Sequence, residues 1–231
     1  MPRGLYVETR VRTDRALLWE RTQDPRQHQR WDLRFTRIEH LPPESGRPQR
    51  FTYAIRLPWR EVAGVGESLG ERSRPDGQST SALSFASDDP LSPIRSGRGW
   101  WRYVPDGDGI RFLTGYDYDV RWGIAGPVVD RLIFRPWMGW ATAWSFDRLR
   151  IWCEDGVAPE RSRTAALVNA GVRLAVVGSC ALRGRHRLLA LTLAALVPPP
   201  RSVPRARRCL RRPPDTLGRT APELTHTLES S

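Results

Sequence analysis

Apolar and polar residues alternate through most of the first 122 positions, with one helical interruption, and a helical period takes over after that. Leu5, Val7, Thr9 and Val11 fall on one side of an extended segment, and Tyr6, Glu8, Arg10 and Arg12 on the other, which predicts a half-buried strand over 5–12. Thr13 or Asp14 can cap the helix begun by Ala16, Leu17 and Trp19. That helix must stop before Asp24-Pro25, because a residue ahead of proline avoids the α conformation. Pro25 suits the first position of a second short helix reaching Trp31. Period two then returns in segments 35–41, 49–57, 62–72, 79–87, 97–104 and 110–122, divided by turn sequences such as Pro75-Asp76-Gly77 and Pro105-Asp106-Gly107-Asp108-Gly109. Short turns between consecutive strands predict an antiparallel meander. Joined by the first strand, it makes a curved sheet of seven.

From Pro127 to Cys153 the spacing changes. At about 100° per residue, Trp137, Trp140, Ala141, Trp144, Ile151 and Trp152 share one arc of about 120°. So broad an apolar face must cover something, and the sheet is the available surface. The last strand complements it, with Phe112, Thr114, Tyr116, Tyr118, Val120 and Trp122 on the side that should meet this helix and Asp117, Asp119 and Arg121 on the other. Pro136 lacks an amide donor and predicts a break, giving two helices over about 127–134 and 136–154.

Strand, two short helices, six antiparallel strands and a long C-terminal helix is an order that resembles the START/Bet v 1-like (SRPBCC) superfamily. The residues that carry the resemblance are Tyr6-Val7-Glu8-Thr9, the helix pair with Trp19, Asp24-Pro25 and Trp31-Asp32, and the run from Gly139 to Leu149. It covers about residues 4–154. The resemblance implies an α+β helix-grip fold, in which the curved sheet wraps the last helix around a cavity for an apolar or aromatic ligand, as in polyketide cyclases and lipid carriers. Three parts of the chain are therefore expected: a START/Bet v 1-like domain over 1–156, an apolar α-helical hairpin over 157–200, and a basic disordered tail over 201–231.

Composition places the charge. All 37 basic residues are Arg, against 25 Asp and Glu. Residues 1–160 hold 24 Arg and 22 acids, net +2, and residues 161–231 hold 13 Arg and 3 acids, net +10. A domain that bound nucleic acid through its main body would carry the excess there, so nucleic acid is not the expected partner of the core. Cys153, Cys180 and Cys209 are scattered, with no CxxC or Cys/His cluster, which points to a reducing compartment and no zinc. The start MPRGLYVETRV has no apolar core of a cleaved signal, and a cytoplasmic location is the expectation.

No cofactor, metal or specific catalytic motif is legible. The four His show no ligand spacing, and Gly64-Val65-Gly66-Glu67-Ser68-Leu69-Gly70 departs from a dinucleotide loop, since its third glycine is one place late and no helix follows. The candidate ligand-binding residues are the aromatic side chains of the sheet and lid helix, Tyr53, Trp101, Tyr116, Tyr118, Trp137, Trp140 and Trp144. Arg148 joins them, because its angle puts a guanidinium within the apolar arc, where it needs an internal carboxylate, an anionic ligand or a route past the rim. The alternative is that the rings simply fill the core.

The tail begins with Thr164–Leu182, nineteen residues interrupted by Asn169 and Arg173, followed by a basic turn and the ten residues Leu188–Val197. Ten residues fall short of the roughly 20 that span a bilayer. Between Arg183 and Arg212 there are nine Arg and no acid. Such a hairpin suits an anionic membrane surface, at the inner face of the membrane, or packing against the core or a partner, while a disordered basic arm would suit nucleic acid. The expected function is binding of a hydrophobic or aromatic small molecule, lipid or polyketide-like. A cyclase or dehydratase of the polyketide kind and a cavity-free interaction module at a membrane surface are the alternatives.

Overall fold

The computed structural model describes residues 4–183, 192 and 197–222. Seven strands, β1 (Leu5–Val11), β2 (Arg37–His40), β3 (Arg50–Arg56), β4 (Glu61–Ser73), β5 (Ser79–Ala86), β6 (Ile94–Asp106) and β7 (Gly109–Val120), form one antiparallel sheet in the order β1-β7-β6-β5-β4-β3-β2. The first strand closes on the last, with Val7 opposite Thr114 and Thr9 opposite Phe112. Between β1 and β2 lie α1 (Arg15–Gln23) and α2 (Pro25–Trp31). Asp14 accepts the Leu17 amide at 2.8 Å, and Asp24 ends α1 while capping α2 through the Arg26 amide at 2.8 Å. One residue thus turns the chain between the two helices, with Pro25 fixing the start of the second.

The C-terminal helix runs as α3 (Gly126–Val129), a π turn over Asp130–Phe134 and α4 (Arg135–Asp155). The expected break at Pro136 is therefore a widening of the helix. Proline offers no amide to the carbonyl four residues back, and the π turn just before it absorbs the mismatch. Gly156, at φ +66°, ends α4 in the left-handed conformation. The helix lies in the concave face of the sheet, where Phe146 stacks on Phe112 at 4.6 Å, next to Trp31, Leu149 and Val7. Each such buried side chain contributes about 1.5–3 kcal/mol.

The free side of α4, the β1 edge and part of the convex face are covered too, by a segment expected to be disordered. Val203, Ala206 and Cys209 are buried, Glu8 and Leu210 exchange two backbone hydrogen bonds of 2.9 Å at the outer edge of β1, and Ala221 packs against a cluster of Tyr6, Ala82, Trp100 and Leu113. Asp147 of α4, fully buried, accepts from the Arg205 amide at 2.7 Å and from Arg208 at 2.9 Å, and Asp215 pairs with Arg111 at 2.8 Å. The reading of 201–231 as a disordered basic tail is corrected for 203–222. Arg208 and the Arg205 amide meet a carboxylate already in the domain, and the segment's apolar residues close an exposed strand edge. Residues 223–231 lie outside the described residues.

Between α4 and this strap, α5 (Pro159–Arg183) leaves the domain after its first turn. Ser162 is buried and Glu160 pairs with Arg30 at 2.8 Å, but Leu167, Val168 and Val172 are exposed. The second arm of the expected hairpin, 188–197, falls almost wholly outside the described residues. No described helix is long and apolar enough to cross a membrane.

Candidate ligand cavity

A cavity of about 600 Å³ lies between the concave face of β3–β7, the helices α1 and α2, and the start of α4. Phe51, Tyr53, Ile55 and Leu57, the row of period two in and just after β3, form one wall, with Phe85 of β5 and Trp101 of β6. Phe134, Trp137 and Met138 form the opposite side. Glycines decide how these rings lie. Tyr53 faces Gly64, Phe51 faces Gly66 and Phe85 faces Gly97 across the strands. A Cβ at Gly64 would stand 2.6 Å from the Ala86 carbonyl oxygen as well as inside the Tyr53 ring, and one at Gly97 would stand 2.6 Å from the Asp117 carbonyl and inside the Phe85 ring. The rings lie flat over bare backbone and leave the space beyond them open.

Among the polar side chains that line this space, His28 and Arg34 are tied together by a buried carboxylate behind them. Asp32, with a side chain at 0% exposure, accepts from the Arg34 amide at 3.0 Å, from Arg34 Nε at 2.9 Å and from Arg34 Nη2 at 2.6 Å. His28 Nε2 lies 3.0 Å from Oδ2, the oxygen that also accepts from Arg34 Nη2. The position of Asp32, directly after α2, produces the arrangement: Asp32 is four residues after His28, one helical turn away, and two before Arg34, so its carboxylate ties the helix end to the loop. Burial pushes the Asp32 carboxyl up, but the Arg34 guanidinium and the hydrogen bonds from Arg34 and His28 outweigh it and hold the group well below the usual carboxylate range. Burial lowers the His28 pKa despite Asp32, so the imidazole is neutral at pH 7. It stacks on Trp31 at 4.9 Å and meets Trp101 edge-on at 4.9 Å. Tyr116 donates to Thr142 Oγ1 at 3.0 Å, which itself donates to the Met138 carbonyl at 2.8 Å. Burial raises the Tyr116 phenol, opposed by the nearby Arg34. Tyr53, pushed up to about 12 by burial, donates to Ala86 O at 3.3 Å.

Four of the eight candidate residues therefore line the cavity: Tyr53, Trp101, Tyr116 and Trp137. The other four do not. Tyr118 donates to Asp130 at 2.6 Å, behind the cavity wall, and Trp140 and Trp144 stack on each other at 6.3 Å along a different side of α4. Arg148 is a further correction. Its Nε and Nη2 donate to the Pro159 carbonyl at 3.0 and 2.8 Å, and Nη1 to that of Trp31 at 3.3 Å, so it joins the ends of α2 and α5. Burial lowers its pKa to about 10. The buried guanidinium finds backbone oxygens rather than a carboxylate or a ligand. The reading in which the rings simply fill the core holds for Trp101 and Tyr116, which are buried in it, whereas Trp137 and Trp140 are exposed and a cavity lies beside them. Sequence reasoning missed His28, Asp32 and Arg34. Asp32 preceded by His at four residues and followed by Arg at two was the available cue, but nothing in spacing alone puts that turn at a cavity.

An antiparallel sheet wrapped on a long C-terminal helix, with a cavity between them, is a helix-grip fold. No family model matches the chain. It is 43% identical over 166 residues to the uncharacterized membrane protein YndG of Bacillus subtilis (strain 168), an alignment that takes in 71% of this chain and 62% of the relative. The chain thus spans less than two thirds of that curated relative. Solved structures with similarity include a STAR-related lipid transfer protein from Xanthomonas axonopodis, at 19% identity over 62% of this chain and 81% of the other, TM-score 0.46. The Zhui aromatase/cyclase from Streptomyces sp. R1128 is 15% identical over 67% of this chain and 99% of its own, TM-score 0.42.

Proposed function

We propose that the protein binds a hydrophobic or aromatic small molecule of lipid or polyketide type in this cavity, with the ligand's polar end toward Arg34, His28 and Tyr116. The observation that carries the reading is an open space of about 600 Å³ lined mostly by apolar and aromatic side chains, with His28, Arg34 and Tyr116 among its polar lining residues and Gln23, Gln49 and Glu71 the others of note. That size and that distribution suit a ligand held by apolar burial and oriented by a few polar contacts. The Asp32–Arg34 pair is neutral overall, which favours a neutral or phenolic head over a strong acid. Native mass spectrometry of protein from a lipid-rich host, followed by denaturing extraction, tests it. A stoichiometric hydrophobic compound is expected, and a clean apo mass together with no uptake of a fluorescent fatty-acid probe overturns it.

The His28–Asp32 contact favours one second reading, a cyclase or dehydratase in which a neutral imidazole or the Tyr116 hydroxyl carries a proton. Loss of turnover in Tyr116→Phe with binding retained would support the enzyme. Arg201, Arg207, Arg211 and Arg212 remain exposed on the strap and support contact with an anionic membrane, as does the name of the Bacillus subtilis relative.

A further inference from the structure

The helix that closes the cavity has an outer surface unlike that of a soluble helix. Between Trp122 and Trp140 twelve residues are exposed, and Arg131 alone among them is charged. Ile124 is fully exposed, Leu132 and Ile133 are about two-thirds exposed, and Val128 and Trp137 about half. The one acid of the segment, Asp130, is buried and taken up by Arg135 at 2.9 Å and Tyr118 at 2.6 Å. The π turn contributes directly, since the widened turn leaves both Leu132 and Ile133 outward while Phe134 turns into the cavity wall. A helix surface without alternating charge is stable only against an apolar phase.

This surface borders the mouth of the cavity. Leu91 and Trp137 line the cavity and are also about half exposed, so they mark its opening. Arg121 donates from its amide to Pro93 O at 2.9 Å and from Nε to Ser92 O at 3.2 Å, which fastens Trp122 and Ile124 beside the Leu91 loop. Trp122 and Trp137 flank Phe134 at 5.6 and 6.1 Å.

We infer that residues 122–140 form a membrane-contact face, which seats the cavity mouth in the interfacial zone of an anionic bilayer. Long aliphatic side chains flanked by tryptophans, with a positive charge and no exposed acid, match that zone, where indole rings settle and cations meet lipid headgroups. A protein partner would meet a patch richer in hydrogen-bonding side chains, and among the exposed residues of 122–140 Arg131 is the only charged one. The role of this face as the ligand's entry rests on the ligand-binding reading above; the contact itself does not.

Full-length protein is floated with vesicles of phosphatidylcholine and phosphatidylglycerol, alongside Ile124→Ser/Leu132→Ser/Ile133→Ser and, on the projecting α5, Leu167→Ser/Val168→Ser/Val172→Ser. All six positions are exposed, so both variants should fold. The first triple variant is expected to partition at least about tenfold more weakly than the parent, and the second within about twofold. Uptake of a fluorescent fatty acid without vesicles reports the cavity separately and should be unchanged in both. Equal flotation of the parent and the 124/132/133 variant overturns the inference, as does loss in the α5 variant alone. So does a parent that ignores vesicles, and if it instead forms a cross-linked complex abolished by the 124/132/133 changes, the face is assigned to a protein.

Discussion

Replacing Asp32 with asparagine tests whether the polar corner of the cavity is as dry as its burial implies. Asparagine keeps the shape and the acceptor for the Arg34 amide, but removes the charge that faces Arg34 Nε at 2.9 Å and Nη2 at 2.6 Å. The Arg34 side chain, 10% exposed, is left as an uncompensated internal cation. Removing one partner of a buried pair costs about 3–5 kcal/mol. With a urea dependence of about 2 kcal/mol per M, the midpoint of unfolding should fall by about 1.5–2.5 M. Asp32→Asn/Arg34→Met removes both charges together, and should recover all but about 1–2 kcal/mol of the parent's stability. Urea titrations followed by tryptophan fluorescence and by circular dichroism give both numbers. A cost below about 1 kcal/mol for Asp32→Asn would refute the reasoning, because Arg34 would then be hydrated through the cavity mouth and the corner would be wet.

Three further outcomes follow from the structure. Because burial lowers the His28 pKa from 6.5, the unfolded chain takes up a proton there that the fold refuses, so stability should decline as pH falls below about 6.5, and His28→Gln should flatten that slope in urea midpoints measured from pH 7 to 5. Asp32 has the opposite history but the same sign: its depressed pKa stabilises the fold above the ordinary 3.8, and that contribution is lost only in stronger acid. Truncation after Ser202 strips the cover from β1 and takes the Arg205 amide and Arg208 from Asp147, which keeps only Arg150 among the described residues, and should lower stability by about 1–3 kcal/mol or more; a melting temperature equal to that of the full chain would show the strap to be dispensable.

Much of the fold was written in local periodicity. The row Phe51, Tyr53, Ile55 and Leu57 lines one wall, and Phe112 and Tyr116 look at the C-terminal helix, because strand residues two apart must share a face whatever they pack against. The helix angles served less well. Trp137, Trp140, Trp144 and Arg148 share an arc on a wheel, yet a π turn and 21 residues of α4 distribute them between a cavity mouth, a ring stack and a tie to Pro159. A wheel ignores position along the axis, and the sheet covers only part of it. Charge misled in the tail for a related reason. An excess of Arg looks like a solvated run until the fold supplies a buried acceptor, as Asp147 does for Arg208 and for the Arg205 amide.

The sequence by itself determined the element order, the faces of the strands, the division of the helix pair at Asp24-Pro25 and the apolar character of the C-terminal helix, since each depends on neighbours within a few residues. Only the tertiary structure decided that Asp32, Arg34 and His28 meet at a cavity with Tyr116, that glycines opposite Tyr53 and Phe85 hold its walls back, and that residues 203–222 return to cover β1. Those contacts join residues up to two hundred positions apart, and their energies exist only once burial has removed the competing water.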